Sequence, residues 1–170
     1  MTWLFGMQGE DGKRLSRPLL RRAAALAWGW RALPELARSG RGKPHFRHWP
    51  EKWFSLSHSG GLTLCALSDD GPVGVDVEVE RPRRPGLMAY ALSPAEQAAC
   101  RGDWGEFYRL WTLKESWCKR EDSPLYPPRE VVTPPPCPHR SYTGPGWRGA
   151  VCCSGIPPED VLWMEPEETP

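Results

Sequence analysis

The stretch Val73-Gly74-Val75-Asp76-Val77-Glu78 decides how the rest of the chain is read. Val73, Val75, Val77 and Val79 alternate with Gly74, Asp76, Glu78 and Glu80. A period of two marks a strand with one buried face. The valines take the core side, which leaves Asp76 and Glu78 on the other side, roughly 6.5–7 Å apart along the strand. Two carboxylates so placed repel each other unless a cation lies between them. A hard divalent ion such as Mg²⁺ suits the pair, because it takes one or two carboxylates and keeps sites for phosphate and water. A solvated acidic face on an edge strand is the plainer alternative.

The 170 residues suffice for one domain or for two small lobes sharing a core. An apolar content of 39% with 25% charged residues fits a soluble globular protein. No apolar run approaches the roughly 20 residues that span a bilayer, so no membrane partner is expected. The start, Met1 to Glu10, lacks the basic region and apolar core of an export signal. The six cysteines form no C-x-x-C pair, which argues against zinc, and they are expected as reduced thiols in the cytoplasm. Charge is unevenly placed: residues 1–52 hold 11 Lys/Arg against 4 Asp/Glu, and the remainder 11 against 17. That division suits a phosphate-rich ligand held between cations and a carboxylate-bound metal, or is plain surface unevenness. The basic residues show no aromatic interleaving, so nucleic acid is not the expected partner.

Working outward, residues 15–30 carry Leu19, Leu20, Ala23, Leu26, Ala27 and Trp30 at helical spacing, with Pro34 close behind. Residues 39–44 form a basic, glycine-containing loop in which Lys43 offers a point charge. His45 and His48 have metal-ligand spacing but no third partner nearby, so they read as surface residues. Residues 53–59 read as a strand ending in the polar cluster Ser57, His58 and Ser59, with Ser55 and Ser57 pointing away from Phe54 and Leu56. A second strand spans 62–67, and the turn from Asp69 to Pro72 should make it an antiparallel neighbour of the Val73 strand. After a basic connector at 81–85, Ser93, Pro94 and Glu96 spell a capping box for a helix reaching about Arg101.

A further helix is expected over residues 104–120, with Phe107, Leu110, Trp111 and Cys118 on its apolar face. Trp111, Glu115 and Lys119 follow at four-residue steps on one stripe. Glu115 and Lys119 form either a simple i,i+4 salt bridge or a third carboxylate and a phosphate-binding cation facing Asp76 and Glu78. Residues 123–145 are proline-rich, as at Pro127-Pro128 and Pro134 to Pro136, and read as an ordered binding loop with a short strand near Glu130–Thr133. Two last strands are expected at 146–153 and 160–164, then an acidic tail that frays.

Together these motifs resemble the 4′-phosphopantetheinyl transferases, in their longer, monomeric, two-lobed type, the surfactin-synthetase-activating one. Phe54 to Ser59 follows the Gly42-Lys43-Pro44 loop at the usual interval, Val73 to Glu78 matches the family's acidic strand, and Trp111 to Lys119 matches its Lys-Glu helix. The resemblance covers residues 42–119, and the C-terminal third matches only in outline. It implies an α+β fold of two similar lobes, 1–72 and 73–170, each a small antiparallel sheet with a packed helix. Coenzyme A would lie between them, and its phosphopantetheine arm would pass to a serine of an apo acyl or peptidyl carrier protein, releasing 3′,5′-ADP. By the same resemblance Asp76, Glu78 and Glu115 would hold Mg²⁺ and Lys119 would contact the phosphates. Lys43, Ser57 and His58 would sit at the 3′-phosphate and adenine end, and Glu115 would also serve as base. Only about 40 residues precede the Gly42-Lys43 loop, fewer than is usual in the family, which predicts a weakened hold on the 3′-phosphate. A non-catalytic coenzyme A or carrier-protein binder of the same fold is the alternative. A phosphohydrolase on another fold explains the carboxylates but not the ordered motifs.

Overall fold

The computed structural model describes residues 1–84, 86–123 and 128–167. Pro85 of the basic connector, Pro127 of the first proline pair and the tail from residue 168 lie outside the described residues. The chain opens with strand β1 (Thr2–Gln8) and helix α1 (Gly12–Trp28), followed by the short ribbon β2 (Leu36–Arg38) and β3 (Pro44–Phe46). Strands β4 (Trp53–Ser59) and β5 (Leu62–Ser68) complete a first sheet, and β6 (Gly74–Val79) begins a second. Helices α2 (Gly86–Ala91), α3 (Pro94–Cys100) and α4 (Trp104–Glu121) lead through a 3-10 turn at Pro128–Glu130 to β7 (His139–Gly144), β8 (Trp147–Cys152) and β9 (Leu162–Met164).

The first sheet has the order β4-β5-β1-β9, antiparallel except where β9 runs parallel to β1. The second is antiparallel, β6-β8-β7. Strand alternation sorts β5 between two cores. Cys65 and Leu67 face α1 with Leu19, Leu20 and Ala23, while Leu62, Leu64 and Ala66 meet Val73, Val75 and Val77 of the other sheet. Helix α4 covers the far face of the second sheet, with Leu113 packed on Ala150 and Cys152. The result is a layered α+β molecule: α1, first sheet, second sheet, α4.

Helix signals fared well. Asp11 caps α1, and Gly29 at φ 69° ends it ahead of Pro34. The capping box of Ser93 and Glu96 is formed. Two strand expectations need correction. β5 and β6 are not paired, because both edges of β5 are taken, by β4 and by β1. No strand forms at 130–133, where Val131 N–H instead closes a turn onto the Pro128 carbonyl. The proline-rich segment also contains a strand of its own, β7, before its end.

Candidate active site

Gly74 begins the site. A Cβ at this position would stand 2.0 Å from the Ser116 carbonyl oxygen and 2.4 Å from Arg120 N. Only glycine lets the last turns of α4 lie directly on β6. That approach brings Glu115 and Lys119 over the face of β6 that carries Asp76 and Glu78.

Lys119 Nζ donates to Asp76 Oδ1 at 2.7 Å and to Ser57 Oγ at 3.0 Å. It therefore pairs across elements with Asp76 rather than forming the i,i+4 bridge to Glu115. Ser57 Oγ also donates to Asp76 Oδ1 at 2.8 Å, and Ser59 Oγ to Glu78 Oε2 at 2.8 Å. Among the described residues, two carboxylate oxygens of this cluster are buried with no hydrogen-bond partner, Asp76 Oδ2 and Glu115 Oε1. Burial, then the Asp76 charge, push the Glu115 carboxyl up to about 7, with Glu78 adding and Lys119 opposing. Burial and Asp76 likewise raise Glu78, against Ser59, Lys119 and Arg83. Three carboxylates that destabilise one another's charge, and one ammonium, leave a local deficit of positive charge.

Beside this cluster a cavity of about 350 Å³ opens between the 41–44 loop, β4 and α4, lined in part by Lys43, Pro44, Leu56, Glu115 and Lys119. Lys43 spans its wall, donating to the carbonyls of Val73 at 3.2 Å and Arg120 at 3.3 Å. Burial pushes the Lys43 ammonium down to about 8, Arg120 adding to the effect and Asp122 and Glu121 opposing it. Arg41 is tied to the Asp122 carbonyl at the same rim.

The structure thus brings Asp76, Glu78, Glu115 and Lys119 together and sets Lys43 in the lining of the same cavity as Glu115 and Lys119. It separates the other two residues expected near Lys43. Ser57 is buried against Asp76, and His58 is exposed on the outer part of β4. Ser59 and Lys114 were not singled out from sequence. The alternation of Ser55, Ser57 and Ser59, matched in period to Asp76 and Glu78, is the signal for the first. Lys114 is the lysine of the Lys-Glu motif, but its role as a buried brace depends on distant partners that the sequence does not display.

Among the described residues, no three His, Cys, Asp or Glu side chains converge closely enough to hold one metal ion. The donors do fit a Mg²⁺ ion that needs one or two carboxylates and completes its shell with phosphate and water. The two unpartnered oxygens are of the right chemistry for it.

An acidic cluster with a lysine lies beside a cleft that Arg41 and Lys43 help to line. The sequence pattern of the 4′-phosphopantetheinyl transferase superfamily matches residues 72–141. The chain is 31% identical over 150 residues to the 4′-phosphopantetheinyl transferase Sfp of Bacillus subtilis strain 168, covering 75% of this chain and 66% of that protein. It is 38% identical over 120 residues to the 4′-phosphopantetheinyl transferase AcpT of Escherichia coli strain K12, covering 66% and 61%. With AcpT of Salmonella typhi it shares 40% identity over 95 residues, covering 52% and 50%. The chain belongs to the 4′-phosphopantetheinyl transferase superfamily. It spans about half to two thirds of the length of these curated relatives.

Proposed function

We propose that the protein transfers the 4′-phosphopantetheine arm of coenzyme A to a serine of an apo acyl or peptidyl carrier protein, with Mg²⁺, releasing 3′,5′-ADP. The carrying observation is the cluster of buried Asp76 with half-buried Glu78 and Glu115, in which Asp76 Oδ2 and Glu115 Oε1 have no partner among the described residues, beside Lys119 and an open cavity. In the reaction the serine oxygen bonds to the phosphorus that bears the arm, and the pyrophosphate bridge breaks. Such a step needs positioning and charge neutralisation more than covalent help. Asp76 and Glu115, with Glu78 alongside, would hold Mg²⁺, which when bound polarises the pyrophosphate and supports the leaving group.

The chain's own residues supply the rest. Lys119 releases Asp76 and takes the phosphate charge. Lys43, in the lining of the same cavity, holds the 3′-phosphate. Glu115, whose carboxyl burial and Asp76 push up to about 7, takes the serine proton directly or through a water. His58, exposed on β4, approaches the adenine end only from outside the cavity. We further read the molecule as a cytoplasmic monomer of two lobes, 1–72 and 73–170, with β9 of the second crossing to pair with β1 of the first. Among the described residues no helix is long and apolar enough to cross a membrane.

Intact mass spectrometry of an apo carrier protein incubated with this protein, coenzyme A and Mg²⁺ tests the reading. A gain of about 340 Da that is lost with EDTA supports metal-dependent transfer. One observation favours the alternative, a non-catalytic binder: Lys119 sits on Asp76, where it competes with a metal. Coenzyme A binding without mass gain on any carrier would establish that alternative.

A further inference from the structure

The two sheets share no backbone ladder, yet β4 and β6 are zipped together by three hydroxyls. Ser55, Ser57 and Ser59 accept hydrogen bonds from the N–H groups of Val75, Val77 and Val79 at 3.1, 3.2 and 3.1 Å. Serines and amides keep step because both strands repeat every two residues. A hydroxyl that accepts still has its own proton to give. Ser57 gives it to Asp76 Oδ1 and Ser59 to Glu78 Oε2, each at 2.8 Å. By the same offset the residue beside Ser55 is Gly74, which has no side chain to receive one.

A carboxylate on a strand turns about two side-chain bonds. Fixing one oxygen to a hydroxyl that is itself fixed to the main chain aims the other oxygen. Asp76 Oδ2, the free oxygen, is buried in the cluster. We propose that Ser57 and Ser59 are positioning residues, whose main-chain-anchored hydroxyls on the first sheet orient the acidic ligands Asp76 and Glu78 on the second. This rests on the transfer reading above. It assigns Ser57 to the acidic end of the site instead of the 3′-phosphate end, and gives Ser59 a role.

Ser59 lies half-buried at the outer end of the zipper, so its variants keep the fold. The test compares the parent, Ser59→Ala, Ser59→Thr, Glu78→Gln and the Ser59→Ala/Glu78→Gln pair. Mn²⁺ binding is read from loss of the free-ion paramagnetic resonance signal, which needs no turnover. Ser59→Ala is expected to weaken Mn²⁺ binding about tenfold, the scale of a hydrogen bond to a charged group. It should lower kcat while leaving KM for coenzyme A nearly unchanged. Ser59→Thr restores both, and in the Glu78→Gln background Ser59→Ala adds less than about twofold. Ser57→Ala acts in the same direction through Asp76.

A lower melting temperature in Ser59→Ala with parental Mn²⁺ binding marks a purely structural hydroxyl and overturns the inference. An undiminished effect without Glu78 does the same. A parent that transfers the arm while Ser59→Ala matches it in every readout sinks the inference alone. A parent that neither transfers nor binds Mn²⁺ sinks the transfer reading with it.

Discussion

Lys114 and Lys119 lie five residues apart on α4, and each meets a carboxylate, Glu96 at 2.6 Å and Asp76 at 2.7 Å. Their surroundings differ. Lys114 is 0% exposed and spends all three of its protons, on Glu96 and on the carbonyls of Ala91 and Arg129. Glu96 is equally saturated, accepting from Lys114, the Ser93 N–H and the Thr133 hydroxyl. Lys119 is a third exposed, and around it Asp76 Oδ2 and Glu115 Oε1 have no donor. A saturated buried network holds elements together, here α2, α3, α4 and the 3-10 turn. An unsaturated one stores a demand for a ligand. One helix therefore carries both the brace and the site, and the brace fixes α4 at the residue before Glu115.

The largest effect should come from breaking the brace. Lys114→Met takes the cation from Glu96, which keeps only the Ser93 N–H and Thr133 hydroxyl, and strips this donor from two carbonyls; loss of one partner from a buried pair costs about 3–5 kcal/mol. Urea unfolding should show it. Lys119→Met should cost less than Lys114→Met, because Lys119 is a third exposed and Ser57 still donates to Asp76, yet abolish transfer. Equal stability losses for the two would erase the distinction drawn between them.

Next comes the contact that brings brace and site to β6. Gly74→Ala forces α4 away from the strand, and overpacking of this kind costs about 1–3 kcal/mol. Transfer should fall further than stability accounts for, since Glu115 and Lys119 move with the helix. A stable Gly74→Ala protein with parental activity would show that α4 need not lie so close.

Glu115→Gln sharpens the same contrast within the site. It removes one of three mutually repelling carboxylates, so unfolding free energy in EDTA should equal or exceed the parent's. Transfer should drop by about 10²–10⁴-fold if Glu115 serves as proton acceptor. A destabilised Glu115→Gln protein would mean that the carboxylate is paired in solution and that the cluster is not open.

Much of this arrangement was legible before folding. The acidic strand, the Lys-Glu helix and the capped α3 rest on local periodicity and capping, which sequence displays directly. What escaped depends on which elements meet. The β5–β6 pairing failed because β1, far away in sequence, already occupies that edge of β5. β7 was hidden by neighbouring prolines, and α2 by its Gly86 start, which offers no Ser, Thr, Asn or Asp cap signal in the sequence. The contact of Ser57 with Asp76 is not visible in the sequence, because a hydroxyl's direction is set by the strand beside it, here β6. Lys114 fell outside the site reading, and its saturation by Ala91, Glu96 and Arg129 explains why it belongs to the brace.

The smallest effects should appear as opposite responses to pH at the two networks. Burial alone would raise the Glu96 carboxyl, but hydrogen bonds from Lys114, Thr133 and Ser93 N–H hold it below its ordinary value. Its stabilisation is therefore present at neutral pH and lost as pH falls through that lowered value. Lys43, at the edge of the open network, is depressed from its ordinary 10.5 to about 8. Between those values the unfolded chain binds more protons than the folded one, so this residue's contribution to stability rises with pH. Coenzyme A should respond with the reverse sign, because the 3′-phosphate needs the ammonium. Calorimetric affinity should fall as pH rises above about 8, and fall less for dephospho-coenzyme A, which lacks that phosphate. Lys43→Arg, whose guanidinium stays charged there, should remove the difference between the two ligands' slopes. If the difference survives in Lys43→Arg, the 3′-phosphate is held by another group, and Lys43 joins Lys114 as a brace.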